Sequence, residues 1–308
     1  MKIVFMGSAA FAVPSLKALA EARHEILEVV TQPDKPAGRG MQMTSCPVAI
    51  AAREAGLPLF QPKSVKNDDA IEHFRGLAPE LIAVVAYGKI LPRALLDIPP
   101  HGCINVHASL LPKYRGAAPI NWAIANGEEE TGVSTQRIVE ELDAGDVLLS
   151  ASTRIDEAEN AEELYSRLAP MGGELLLRTI EGIEEGTITL KPQDPSLVSF
   201  APIIKKEDGH IDWSMPAASV YNRIRAFKPW PGSFAFLGDR KLKVVEAAPA
   251  EVGSGAAPGT VVESGKHLAV ACGDGVLYLI EVQMEGKKRM SAADFLRGHR
   301  VQVGTRLE

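Results

Sequence analysis

Short apolar runs alternate with helix-length amphipathic stretches through the first 190 residues of this 308-residue chain. The runs are Lys2–Met6, Ile26–Thr31, Leu59–Gln61, Leu81–Tyr87 and Cys103–His107. Between them, Pro14–Ala22, Pro47–Ala55 and Asn67–Leu77 carry apolar residues at helical spacing. Strands joined through helices pair in parallel, and such a sheet is covered on both faces. The pattern therefore predicts an α/β fold built on a Rossmann-like, mostly parallel sheet. Two further strands, Val133–Ile138 and Val147–Ile155, flank the turn Leu142–Asp146 as a hairpin. A helix from Ala161 to about Glu184 follows, with Pro170 and Gly172-Gly173 as points of bending.

The first strand leads into Gly7-Ser8-Ala9-Ala10-Phe11, which is not GxGxxG, and no GxxxxGK[ST] occurs in the chain. Both glycine-rich phosphate fingerprints are missing, which argues against a nucleotide-dependent dehydrogenase and a P-loop ATPase. The opening residues imitate a secretory leader, with an early Lys2, an apolar stretch and small residues. Gly7, however, divides that stretch into a strand and a helix, and the strand at Ile26 completes a βαβ unit that cleavage would destroy. A cytoplasmic protein is expected. No apolar run approaches the roughly 18 residues of a membrane span. Cys46, Cys103 and Cys272 share no metal-binding spacing and suit a reducing compartment. No metal is expected.

From Gln193 to Asp208 the chain has two prolines and little periodicity, which predicts a linker. The expected division is a domain over 1–190, a linker over 191–208 and a second domain over 209–308. In the last, a helix (Ala217–Ala226) and a stiff Phe227–Gly232 turn precede five strand-like pieces: Ser233–Leu237, Lys241–Glu246, Gly259–Glu263, His267–Ala271 and Val276–Val282. Five short strands with Gly/Asp turns suggest a small OB-like β-barrel. Ser291 then caps a helix that stops at Gly298. The net charge of −6 comes wholly from the first two thirds, whereas residues 206–308 are slightly basic. The second domain is thus the better partner for a polyanion.

Chemistry concentrates between Asn105 and Asp146. Asn105 and His107 lie two apart in a strand pattern, so their side chains share a face. An amide and an imidazole facing one way can donate to an oxyanion growing on a carbonyl carbon. A carboxylate arriving from a turn can hold the imidazole's tautomer and favour its protonated form. Spacing alone leaves Asp143 and Asp146 both open as that carboxylate, and Cys103, pointing with Asn105, stays open as a thiol nucleophile.

Asn105-Val106-His107, the run SLLPKYRGAAPI (Ser109–Ile120) and Leu142-Asp143-Ala144-Gly145 together resemble the formyltransferases that use 10-formyltetrahydrofolate, over a span reaching Arg300. The resemblance implies catalysis by Asn105, His107 and Asp143, with Asp146 left as a turn carboxylate and Cys103 given no part. It implies a folate pocket at Tyr87, Gly88, Ile90 and Leu91, and at Ser109, Leu110, Leu111 and Pro112. Apolar walls with exposed backbone groups suit a flat pterin.

The loop Thr31–Gly40 is too rich in Gly and Pro to be helix or strand. It is similar to the loop that the tRNA-directed branch of the family wedges against the acceptor end of initiator tRNA. Arg39 would be its central contact, with Lys35 beside it. Met41-Gln42-Met43 departs from the lysines common there. Lys287, Lys288 and Arg289, with Lys205 and Lys206, would form a basic track for the acceptor stem. The function implied is transfer of the formyl group to the α-amino group of methionyl initiator tRNA, by a monomer. Three alternatives remain at this stage: a formyltransferase acting on a small amine, a 10-formyltetrahydrofolate hydrolase, and a non-catalytic RNA-binding protein. The Lys35–Gly40 loop and the second domain speak against the first, since a small substrate needs neither.

Overall fold

The computed structural model describes residues 1–37, 42–250 and 253–308. The chain divides into two compact units. One comprises Met1–Pro119, Glu130–Thr153 and Tyr165–Ala201, and the other Ile120–Glu129, Arg154–Leu164 and Pro202–Glu308.

The first unit begins with β1 (Lys2–Gly7), α1 (Val13–Glu21), β2 (Glu25–Val30), the ribbon β3 (Lys35–Ala37) and β4 (Gln42–Thr44), α2 (Pro47–Glu54) and β5 (Leu59–Phe60). Then come α3 (Asp68–Leu77), β6 (Leu81–Val85), α4 (Arg93–Leu96), β7 (Cys103–His107) and β8 (Arg115–Gly116). After α5 (Pro119–Ala125) follow β9 (Glu130–Arg137), β10 (Val147–Arg154), α6 (Ala161–Glu184) and β11 (Phe200–Ala201). Most of α5 and the first turn of α6 belong to the second unit.

Seven strands form the main sheet in the order β10-β9-β7-β6-β1-β2-β5. The five from β7 to β5 run parallel, and β9 joins β7 antiparallel. Ile3 to Met6 of β1 are wholly buried, as a central parallel strand requires. On one face Val4, Met6, Ile82, Val84 and Cys103 share a core with Phe74 and Leu95. Leu16 and Leu19 of α1 are likewise buried. Gly172 and Gly173 let α6 approach closely: a Cβ there would meet Val106 Cγ1 at 3.0 Å and the Pro14 backbone at 3.2 Å.

The structure differs from several expectations. The Thr31–Gly40 stretch is not devoid of strand, because β3 and β4 pair antiparallel with Pro36 opposite Met43. A two-stranded ribbon tolerates a proline whose missing N–H faces outward. The strand expected to reach Tyr87 ends at Val85, because Ala86 takes a left-handed φ of 45°. The stretch read as a linker is docked on the first unit as far as Ala201. Lys191 and Val147 exchange backbone hydrogen bonds of 2.9 Å, and β11 pairs with β8.

The second unit holds α7 (Ala217–Ala226), β12 (Ser233–Leu237), β13 (Arg240–Ala250), β14 (Val261–Ser264), β15 (Leu268–Ala271), β16 (Val276–Met284), β17 (Met290–Ser291) and α8 (Ala292–Gly298). The sheet order is β12-β13-β16-β15-β14. Glu308 bonds to Phe236 of β12 and Leu307 to Gly259, while Thr260 bridges Arg306. The terminal residues thus join the two edges of the sheet into a small barrel. β13 runs past the expected Glu246 to Ala250, since β16 offers it partners to Val276 whatever the weak propensity of Ala and Pro.

A Cβ on Gly145 would lie 1.7 Å from the Arg137 carbonyl oxygen, whereas one on Gly76 would meet nothing within 4 Å. Gly145→Ala is expected to lower stability by about 1–3 kcal/mol or more. Gly76→Ala, inside α3, is expected to raise it by roughly 0.5–1 kcal/mol. Thermal melts of the two variants check this pair of opposite signs.

Candidate active site

β6 and β7 lie side by side and parallel, with Val84 opposite Asn105, so the loops leaving both strands emerge at one edge. Ligands of open α/β sheets bind at this carboxyl edge. The loops after β1 and β2 reach it too. Ser8 N–H donates to the Ala86 carbonyl at 3.2 Å. Gln32 gives two bonds there, its N–H to Ser8 Oγ at 3.0 Å and its amide to the Tyr87 carbonyl at 2.9 Å.

On the other side of β7, Asn105 faces Gln136 and His107 faces Ser134 across the antiparallel pairing. Directly opposed residues share a face, so Gln136 stands beside Asn105. The amide of Asn105 is half-buried and takes no part in the side-chain hydrogen bonds found among the described residues.

His107 is buried, and its Nε2 lies 2.9 Å from the Tyr114 carbonyl oxygen. A carbonyl only accepts, so Nε2 carries a hydrogen. The other nitrogen, Nδ1, faces Asp143 Oδ2 at 3.7 Å. Asp143 is fixed from two sides. Its Oδ1 accepts from Gln136 Nε2 at 2.7 Å and its Oδ2 from the Gly116 N–H at 2.9 Å. Its own carbonyl and that of Gly145 accept from Gln193 Nε2 at 2.8 and 2.7 Å. Asp143, Tyr114 and Ala86 all have left-handed φ, at 49°, 61° and 45°. Three non-glycine residues in that region around one edge mark a site held against local preference.

The structure brings Asn105, His107 and Asp143 together. Gln136, Gly116, Gln193 and the Tyr114 carbonyl were not foreseen. The register of the β9–β10 hairpin against β7 was the available signal for Gln136. Gln193, in a polar stretch far along the chain, had none.

The residues expected at the folate pocket divide. Gly88 and Ile90 are exposed, Ile90 to 73%. Leu110, Leu111 and Pro112 are half-buried, and Ser109 is buried with its Oγ donating to the Lys113 carbonyl. Ser134 Oγ further braces this loop by donating to the Ser109 carbonyl. The side chains of Tyr87 and Leu91 belong to the apolar core. The Tyr87 hydroxyl has no partner among the described residues, and burial pushes its pKa up to about 12.

Arg39 lies outside the described residues. The ribbon that flanks it is anchored at its base. Asp34 accepts from Gln61 at 2.9 Å and from Ser45 at 2.8 Å, and these bonds hold its carboxyl below the usual carboxylate range. The anchor therefore persists at neutral pH and weakens only on acidification. Lys35 is exposed and donates to Gln32 Oε1 at 2.8 Å, and Met43 is 65% exposed.

In the second unit Lys205, Lys206, Lys287, Lys288 and Arg289 are all exposed, with Arg289 paired to Glu281. The Lys206–Gly209 turn meets β12 at its start, where His210 bridges Phe234 in parallel. Lys287 and Lys288 follow Met284, which pairs with Leu242, itself opposite Ala235 in the middle of β12.

Residues 1–180 match the family described as Formyl transferase, and residues 203–300 match Formyl transferase, C-terminal domain. A methionyl-tRNA formyltransferase of Citrifermentans bemidjiense is 50% identical over 305 residues, covering 99% of this chain and 95% of that one. A methionyl-tRNA formyltransferase of Acidobacterium capsulatum is 50% identical over 309 residues, covering 100% and 99%. Among solved structures, the sugar 3N-formyl transferase WlaRD, determined in the presence of dTDP and 5-N-formyl-THF, superposes with a TM-score of 0.68 at 19% identity. That match covers 94% of this chain and 99% of the other.

Cys103 is 1% exposed, and burial pushes its thiol up to about 12, with Cys272 raised to about 11. Both stay protonated, and so unreactive, at pH 8. Iodoacetamide on the folded protein is expected to modify the half-buried Cys46 alone and to leave enzymatic turnover intact. Mass spectrometry of the tryptic peptides, with turnover measured alongside, checks this.

Proposed function

The chain belongs to the formyl transferase family, within it to the methionyl-tRNA formyltransferases, and from that membership we propose that it moves the formyl group of 10-formyltetrahydrofolate onto the α-amino group of methionyl initiator tRNA. One observation carries the chemistry. A half-buried amide without a partner, a buried imidazole and a fixed carboxylate meet at the carboxyl edge of a parallel sheet.

Attack by the amine forms the new N–C bond, places negative charge on the formyl oxygen and leaves the nitrogen with a proton to lose. Collapse breaks the bond to the folate nitrogen, which must gain one. Asn105 is the donor for the charged oxygen, an interaction worth roughly 2.7–4 kcal/mol in comparable sites. His107 was expected to share that task, but its Nε2–H is already given to Tyr114. Its part here is proton handling through Nδ1, opposite Asp143. General acid–base help of this kind is worth about 10²–10⁴-fold. Gly88, Ile90, Leu110, Leu111 and Pro112 supply apolar surface for the pterin, while Tyr87, Leu91 and Ser109 support that surface from behind.

For the tRNA, the β3–β4 ribbon carries Lys35 and leads into Arg39. The exposed lysines 205, 206, 287 and 288 offer phosphate contacts, together with Arg289. Function as a monomer in the cytoplasm belongs to the same proposal.

Transfer of labelled formyl from 10-formyltetrahydrofolate to methionyl initiator tRNA tests the reading. Asn105→Ala is expected to lower kcat roughly 10²–10³-fold with little change in KM. Arg39→Ala is expected to raise KM for tRNA and to leave the folate KM alone. The apparent tRNA affinity should also fall steeply with salt. Formate release without tRNA formylation, or formylation of a small amine in its place, would overturn the substrate assignment while keeping the catalytic set.

A further inference from the structure

Gln193 lies 50 residues beyond Asp143, in the stretch whose composition reads as a linker. We propose that Gln193 is a positioning residue for formyl transfer, holding the Asp143 turn in the backbone conformation that aims the carboxylate at His107. This inference rests on the function proposed above.

The geometry is directional. Arg115 Nε donates to Gln193 Oε1 at 3.0 Å, which fixes the oxygen end of the amide and turns its NH2 group the other way. That group lies 2.8 Å from the Asp143 carbonyl and 2.7 Å from the Gly145 carbonyl. Its hydrogens serve the two carbonyls flanking Ala144, with a longer contact of 3.4 Å to Gln136 Oε1. The Arg115 side chain is only 8% exposed, so water competes poorly for the bond that sets the orientation.

The turn needs such a clamp. Asp143 has a φ of 49°, in the left-handed region that L side chains seldom adopt. Left to relax, its backbone would rotate and swing the carboxylate away from Nδ1 of His107. Gln136 and Gly116 hold the carboxylate, and Gln193 holds the peptide groups beneath it. Gln193 bonds neither Asn105 nor His107; it acts through the Asp143 turn and through Gln136, which itself bonds Asp143.

Gln193→Glu is the informative substitution. It keeps the size and the acceptor for Arg115, but it replaces the two donors by an oxygen facing two carbonyls. Gln193→Ala serves as a second, uncharged variant should the first misfold. Steady-state formyl transfer to methionyl initiator tRNA, pH–rate profiles and thermal melts would be measured for both. Each would then be combined with Asp143→Asn in a double-mutant cycle. The expected result is a fall in kcat of about 10–100-fold, with a shifted pH–rate profile. Both KM values should stay within about threefold, and the change should add less than about twofold on the Asp143→Asn background.

A merely structural role predicts lower melting temperatures, an unmoved pH profile and full multiplication with Asp143→Asn, and that outcome overturns the inference alone. A wild-type protein that formylates no methionyl-tRNA, or an Asp143→Asn protein with full activity, overturns the functional reading beneath it.

Discussion

β7 sits between a parallel neighbour and an antiparallel one, and the site depends on that mixed pairing. The parallel side, toward β6, brings two loops out at the same edge. The antiparallel side, toward β9, returns the chain and sets Gln136 beside Asn105. With two antiparallel neighbours there would be no carboxyl edge shared with β6. The turn after β9 then folds back, and bonds from Gln136 and Gly116 hold its carboxylate beside the imidazole.

Strain and its compensation cluster at the same place. Ala86, Tyr114 and Asp143 each take up a backbone conformation that side chains disfavour. Each is met by specific bonds: the Ala86 carbonyl by the Ser8 and Ala9 N–H groups, the Tyr114 carbonyl by His107, and Asp143 by Gln136, Gly116 and Gln193. The second unit follows a different principle. Its apolar interior, from Trp213 and Val220 through Leu242, Leu268 and Phe295, is enclosed by a sheet whose two edges are joined, so its order comes chiefly from burial.

Much of this was legible in the residues. Period-two spacing put Asn105 and His107 on one face without any resemblance, and alternating signals gave the parallel sheet. The choice of Asp143 over Asp146 came from the family pattern, because both occupy the same turn and only the folded register separates them. Tyr87 and Leu91 read as pocket residues because they follow a strand end. Whether such a side chain points outward or back into the core depends on the left-handed step at Ala86, which composition does not encode. Pro36 hid the β3–β4 ribbon for a similar reason, since pairing with Met43 overrides local propensity. Gln193 was illegible because its partners are contributed by tertiary docking alone.

The bonds that fix Asp143 reach across sequence separations of 7, 27 and 50 residues, and the longest ends on a segment attached to the first unit mainly by edge pairing. Edge-attached segments open at a lower free-energy cost than central strands. A protein in which residues 191–201 had lifted away would keep its core and its spectroscopic signature of folding while the carboxylate swung free. Loss of activity under mild denaturant is then expected before loss of the fold, as a sub-global transition. Amide hydrogen exchange provides the check: the Gly116 and Ala117 N–H groups should exchange well ahead of those in β1 and β6, and simultaneous exchange would mean that the segment and the core open as one.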